Sequence, residues 1–465
     1  MSTKPSFVTV RAPAESVWQS VVENVARREE KKLASERKLG TKKGMVAPSL
    51  RDAEDQRRHL QALVGAAHEQ VFEAEELKHG RIPASSPLSR PAKPSGRRKG
   101  FAADAALAAA DKVARCAWLA ARLAEAKVFG TKERVALLES EFKFNVCDGF
   151  WADCVTEYVK FFKVKHGKIP YRAGLNNVLR QKIPANATIG IFGDWGTGMP
   201  DAVDLLKQIK TFDPDILIHL GDVYYSGTQE EMQTRFLDVY KTVFGVNPPR
   251  SFSLSGNHDM YSGGVGYYWL IDRLGQGASY FAIQNDDWLF IAMDTGLHDV
   301  NPLQGGSAAT FLDDKEATWV NELVGKSRNQ KIVLLSHHPL FTAFDPIEGA
   351  TVNPLLLKQI QGSLPKVSAW FWAHEHRLAV YDAFQGLARG RCVGHGAIPV
   401  FADKAGDPPK LAGVPVHREG GKLLDMGSTD KVFKHGFAIM TLKGKKATVA
   451  YFRQGEAKPL WQETF

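Results

Sequence analysis

The chain has 465 residues, 44% of them hydrophobic and 24% charged, the balance of a folded globular protein rather than a disordered or fibrous one. No stretch approaches the ~20 uninterrupted apolar residues of a membrane-spanning helix, and four cysteines (Cys116, Cys147, Cys154 and Cys392) exclude a disulfide-built scaffold and match no zinc-site spacing. Residues 1–190 carry a formal +13, which leaves −4 of the total +9 for residues 191–465, so a basic N-terminal part is joined to a slightly acidic C-terminal part.

In chain order, residues 1–100 are rich in Lys, Arg, Glu and Ala and read as a basic extension, partly helical or disordered, with helical patches at 15–37 and 50–78. The first thirty residues hold no apolar h-region, so the reading expects no secretory signal and a reducing, cytoplasmic setting. Residues 81–100 contain four prolines and a terminal Arg97-Arg98-Lys99 cluster, the composition of a linker. A small helical module is expected over 101–180, with helices at 101–127 and 132–144 and an aromatic amphipathic stretch at 151–164. The basic character serves either a solvated helical surface or an electrostatic surface for nucleic acid, anionic lipid or an acidic partner.

From residue 187 the texture changes to short apolar runs alternating with amphipathic helices. Strands are expected at 188–192, 216–220, 251–254, 288–293, 332–335 and 369–372, and helices at 201–211, 229–244, 312–326 and 354–360. This alternation predicts a layered α/β domain. A hairpin over 437–442 and 447–452, turning at Gly444, is expected to finish the sheet.

Five of the expected strands end in side chains able to bind metal. These ends read Gly193-Asp194-Trp195-Gly196, Gly221-Asp222-Val223-Tyr224-Tyr225, Gly256-Asn257-His258-Asp259, Ser336-His337-His338-Pro339 and Ala373-His374-Glu375-His376. In open α/β sheets ligands gather beyond the carboxyl ends of strands, so the five loops can converge. Carboxylates, imidazoles and an amide oxygen form a mixed O/N set suited to zinc, iron or manganese rather than calcium. One carboxylate can bridge two cations ~3.5–4 Å apart, the arrangement used for phosphoryl chemistry.

This series resembles the calcineurin-like metallophosphoesterases, and more narrowly it is similar to the purple acid phosphatases. Asp194-x-Gly196 stands where most of the superfamily has Asp-x-His, and Tyr225 lies three residues after Asp222; the resemblance implies that Asp222 bridges and that a Tyr225 phenolate would supply the ligand the missing histidine otherwise gives. The resemblance spans roughly residues 187–400 and implies a four-layer α/β/β/α sandwich carrying an N-terminal mainly helical extension, with the phosphoesterase domain running over 187–465. It implies a first metal on Asp194, Asp222, Tyr225 and His376, and a second on Asp222, Asn257, His337 and His374. The first ion would be Fe(III) and the second Zn, Fe or Mn, with His258 protonating the leaving oxygen of a phosphate-ester substrate. Ala373, where the family has Gly, is a small departure.

Asp259, Asp294, His338 and His395 are further candidates for supporting a ligand or touching substrate, and Tyr261 and Arg377 for lining the pocket. Trp370, Phe371 and Trp372 read as core. Three functions stay open at this stage: a phosphomonoesterase, a phosphodiesterase or nuclease gathering nucleic acid through residues 1–100 by salt-sensitive phosphate contacts, and a non-catalytic scaffold.

Overall fold

The computed structural model describes Cys154, residues 157–172, 180–302, 308–398, Val400, 411–419, 422–429 and 432–465. The expected extension over 1–100, its linker, most of the helical module, Cys116 and Cys147 lie outside the described residues. A helical stretch, Val159–Val164, precedes β1 (Arg180–Lys182) and β2 (Asn186–Phe192). Then come α1 (Pro200–Lys210), β3 (Ile216–His219) and a helical run α2 made of Gln229–Glu231, Met232–Leu237 and Asp238–Phe244. Next are β4 (Arg250–Ser253), α3 (Asn257–Met260), α4 (Val265–Arg273), β5 (Phe281–Gln284) and β6 (Trp288–Ala292). They are followed by α5 (Asp314–Lys326), β7 (Lys331–Leu335), α6 (Pro354–Ile360), β8 (Val367–Trp372), β9 (Leu378–Tyr381) and β10 (Gly390–Val393). Beyond two very short hairpins, β11 (Gly436–Lys443), β12 (Lys446–Arg453) and β13 (Trp461–Thr464) end the chain.

The strands form two sheets, ordered β1-β5-β6-β7-β8-β10-β9 and β13-β12-β11-β2-β3-β4. Within them β2, β3 and β4 run parallel, as do β6, β7, β8 and β10. Strands buried on both faces need apolar residues at successive positions, which is why these segments read as continuous apolar runs. Ile189, Ile191, Ile218, Phe252, Phe290, Val333 and Phe371 face the space between the sheets and form one core. Leu289, Ile291, Leu334 and Trp370 face outward to Val320, Leu323, Leu356 and Ile360 of α5 and α6. On the other side Phe192, Leu217 and Phe437 meet Leu205, Leu206, Phe236 and Leu270 of α1, α2 and α4. The result is the expected four-layer α/β/β/α sandwich.

Local signals fix the helices. In α1 Pro200 opens the first turn, where no amide hydrogen is needed, and Ala202, Leu205, Leu206 and Ile209 are buried at helical spacing. Asn353 caps α6 by accepting from the amides of Leu355 and Leu356. The C-terminal hairpin forms as expected, and β11 pairs antiparallel with β2 to extend the second sheet. Among the described residues no helix is long and apolar enough to cross a membrane.

Two boundaries differ from expectation. Residues 157–172, assigned from sequence to a separate helical module, pack on the α/β domain: Ile169 joins the α1/α2/α4 core, and Arg172 Nη2 donates to Asp272 Oδ2 at 2.8 Å. β1 then pairs with β5 ahead of the expected start at 187.

Candidate metal centre

Parallel order puts the ends of β2, β3, β4, β7 and β8 at one edge of the sandwich, and the loops there carry the expected ligands. Among the described residues two groups of metal-binding side chains stand out, Asp194 with Asp222 and His376, and His337 with His338 and His374. In the second region His337 Nε2 lies 3.2 Å from Asn257 Oδ1, 3.1 Å from His374 Nδ1 and 3.4 Å from Asp222 Oδ2. His374 Nδ1 lies 3.1 Å from the same Asn257 oxygen. Donors on one cation at bond lengths of about 2.0–2.2 Å sit roughly 3–3.5 Å apart, so this convergence of lone pairs has the spacing of a shared cation. Asp222, a member of the first group, also lies against His337 of the second and so is placed to bridge them.

The supporting contacts aim these atoms. His337 Nδ1 donates to the Leu220 carbonyl at 2.9 Å, which leaves Nε2 as the lone-pair nitrogen facing the cluster. Asn257 Nδ2 donates to the Tyr261 hydroxyl at 2.6 Å, which turns Oδ1 inward. The His374 amide donates to Asp194 Oδ2 and the His258 amide to Asp222 Oδ1, at 2.8 and 3.0 Å. Asp259 ties the loops together, accepting from the amides of Asp222, Val223 and Gly256 at 2.8–2.9 Å.

Electrostatics favour positive charge here. Burial alone would raise the Asp222 carboxyl, but His337, His258 and His374 hold it well below the usual range. Burial would lower His337, yet Asp222 outweighs it and holds the imidazole up to about 9. Asp194, fully buried and facing Asp222, is instead pushed well above its ordinary value. A cluster with two carboxylates side by side and a preference for charge at His337 Nε2 is stabilised by cations, and the residues fit a dinuclear metal site.

One expected ligand is displaced by a residue. The phenol beside the Asp194 group is that of Tyr224, whose hydroxyl donates to Asp194 Oδ1 at 3.0 Å and lies 3.1 Å from His376 Nε2. The Tyr225 ring instead sits beneath the Arg235 guanidinium, 5.0 Å from its centre. The loop's fastening sets this direction: Glu231 accepts from the amides of Tyr225, Ser226 and Thr228, and Arg235 Nη1 donates to the Tyr224 carbonyl. Counting residues after Asp222 does not reveal which of two adjacent tyrosines turns inward.

His258 has its ring between those of Tyr224 and Tyr261 at 4.6 and 4.8 Å, and its Nδ1 donates to the Tyr225 carbonyl at 2.7 Å. His338 lies in contact with the His374 ring (4.4 Å between centres) and is held by Thr295 at Nδ1 and Asp299 at Nε2. Sequence reading missed Asp299 and Thr295, which sit in a connection without periodicity.

Two candidates take other roles. Asp294 accepts from Ser255 Oγ and the Leu297 amide, so it braces the residue two before Asn257 rather than a ligand side chain. His395 is buried with its ring packed against Gly436, whose amide donates to the His395 carbonyl at 2.8 Å. Its neighbour Gly394 matters more, since a Cβ there would come within 2.5 Å of Asp194 Oδ2. Arg377 stacks on Phe344 at 4.0 Å and pairs with Asp345 at 3.5 Å. Trp370, Phe371 and Trp372 are core, as expected.

Residues 187–378 match the profile of the family described as calcineurin-like phosphoesterase. No curated protein matches the chain at a significant level. Among solved structures, a dimetal phosphatase from Danio rerio is similar at 14% identity with a TM-score of 0.39, the match covering 60% of this chain and 98% of that one. GAP50 of Plasmodium, the anchor in the inner membrane complex, is similar at 14% identity with a TM-score of 0.42, covering 60% and 88%. At such identities the side chains must decide the chemistry, and the family match together with the donor clusters supports a metal-dependent phosphoester hydrolase.

Proposed function

We propose that the chain is a dinuclear metal-dependent phosphomonoesterase of acid-phosphatase-like type. The observation that supports this most is that Asp222 faces two donor groups at once, His337, His374 and Asn257 on one side and Asp194 and His376 on the other. In this reading Asp194, Asp222, Tyr224 and His376 hold one cation, and Asp222, Asn257, His337 and His374 the other. The phenol and carboxylate donors suit ferric iron, and the amide and imidazole set suits zinc, iron or manganese. When bound, such a pair supplies Lewis acidity toward the phosphoryl group and a more acidic water.

The chain's own residues do the rest. Asn257, His337 and His374 converge their donor atoms on one point and so would fix where their cation sits. His258 keeps Nδ1–H on the Tyr225 carbonyl, so Nε2 is the nitrogen that gives its proton to the departing alkoxide. The Tyr224 and Tyr261 rings flank the imidazole, which is buried. No Ser or Cys nucleophile is needed.

The test is steady-state hydrolysis of a chromogenic phosphate monoester and its diester counterpart, after loading with iron plus zinc or manganese. The expected result is monoester turnover that Asp222→Asn abolishes. A clear preference for the diester would move the assignment to a phosphodiesterase or nuclease.

A further inference from the structure

We infer that Cys154 and residues 157–172, which precede the family-matched region, are a positioning part of the active site: they hold the carbonyl and loop that aim His258. The inference rests on the phosphomonoesterase reading and concerns what holds its proton donor in place.

Three contacts carry it. The Cys154 thiol donates to the Tyr225 carbonyl at 3.0 Å, the same oxygen that accepts from His258 Nδ1 at 2.7 Å. The Phe161 ring is seated on Gly263, five residues after His258, so closely that a Cβ there would lie 2.2–2.4 Å from three of its ring carbons. Further along, the Tyr171 hydroxyl donates to Glu316 Oε2 at 3.3 Å, Glu316 Oε1 accepts from the Asp294 amide at 2.8 Å, and Asp294 accepts from Ser255 Oγ, two residues before Asn257. Arg172 pins this end, its Nη1 donating to the Gly277 carbonyl at 2.8 Å and its Nη2 to Asp272. The segment therefore grips both flanks of the Asn257–Met260 turn and the carbonyl that fixes the His258 ring.

A carbonyl with two donors has both lone pairs engaged and little freedom to rotate. Released from Cys154, the Tyr225 carbonyl can swing, and the His258 ring with it. A proton donor matters most when the leaving alkoxide is basic, so loosening it should show as a steeper dependence on leaving-group basicity, not as a uniform loss.

The experiment uses the full chain, metal-loaded, with phosphate monoesters running from 4-nitrophenyl through phenyl to alkyl leaving groups. Cys154→Ala should leave 4-nitrophenyl phosphate turnover within about twofold and lower alkyl-ester kcat about tenfold, a fraction of what a general acid contributes. Cys154→Ser, which keeps a donor, should restore most of the alkyl-ester rate. The double variant Cys154→Ala/His258→Ala should be no slower than His258→Ala alone, because the first change acts through the second residue. Equal losses on every ester, failure of the serine to rescue, or additive losses in the double variant would overturn the proposal. Absence of turnover by the unsubstituted, metal-loaded protein would instead remove the phosphomonoesterase reading, and this inference with it.

Discussion

Gly256 offers the sharpest prediction about the site. Its backbone is extended, with φ −106° and ψ −178°, a conformation alanine adopts freely, so Gly256→Ala meets no backbone strain. The difficulty is space: the new Cβ falls on Asp222 Oδ1, with Asp222 Cγ at 2.8 Å and His337 Cε1 at 2.9 Å. Carbon contacts settle near 3.5–4.0 Å, so the bridging carboxylate must retreat by about 1 Å. That movement breaks its bond from the His258 amide and pulls Oδ2 off the line to His337 Nε2. A displacement of that size costs about 10²-fold in rate, whereas overpacking one methyl costs the fold only about 1–3 kcal/mol. The assay is kcat/KM on a chromogenic monoester, with metal content per chain after dialysis and urea unfolding alongside. Gly325→Ala is the control, since a Cβ there meets nothing, and it should leave activity unchanged. A Gly256→Ala protein with unaltered rate and metal content would refute the placement of Asp222.

Tyr224→Phe should weaken metal retention by at least about 10–100-fold, the range for losing even an outer partner of a metal ligand, while Tyr225→Phe has a much smaller effect; equilibrium dialysis of the two variants decides which phenol serves the site. Asp259→Ala leaves three buried amides without their acceptor and should lower unfolding stability by about 3 kcal/mol, which urea titration measures. Burial and neighbouring His435 hold His395 down to about 3, below its unfolded value of 6.5. Between those pH values the unfolded chain binds a proton that the folded chain does not, so stability rises with pH there and is lost on acidification. His395→Gln should flatten that limb by up to about 1.4 kcal/mol per pH unit, read from unfolding at pH 4.5, 5.5 and 6.5.

The sheet strands were legible because burial on both faces demands unbroken apolar runs, as in Ile216–His219 and Lys331–Leu335. Strands β5, β9 and β10 were not singled out, lying close to turns that dilute their pattern. The site's donors could be read because each polar residue follows such a run directly. What surrounds them could not: Asp299, Glu231 and Cys154 reach the site across sequence separations or from irregular connections, and nothing local marks them. The exchange of Tyr225 for Tyr224 has the same origin, since Glu231 and Arg235 decide the loop's direction from the next helix. Segment 157–172 looked separate because its lysines, His166 and Arg172 break up its apolar pattern, yet Phe161, Ile169 and Tyr171 are enough to fasten it.

The central claim is that Asp222 joins two cation sites into one centre. It is tested most directly by counting tightly bound metal ions per chain, by elemental analysis after loading and dialysis, in the unsubstituted protein and in Asp222→Ala. Two ions per chain, with both sites weakened by the single substitution, is the predicted result. One ion or none in the unsubstituted protein, or two ions retained without Asp222, would contradict it.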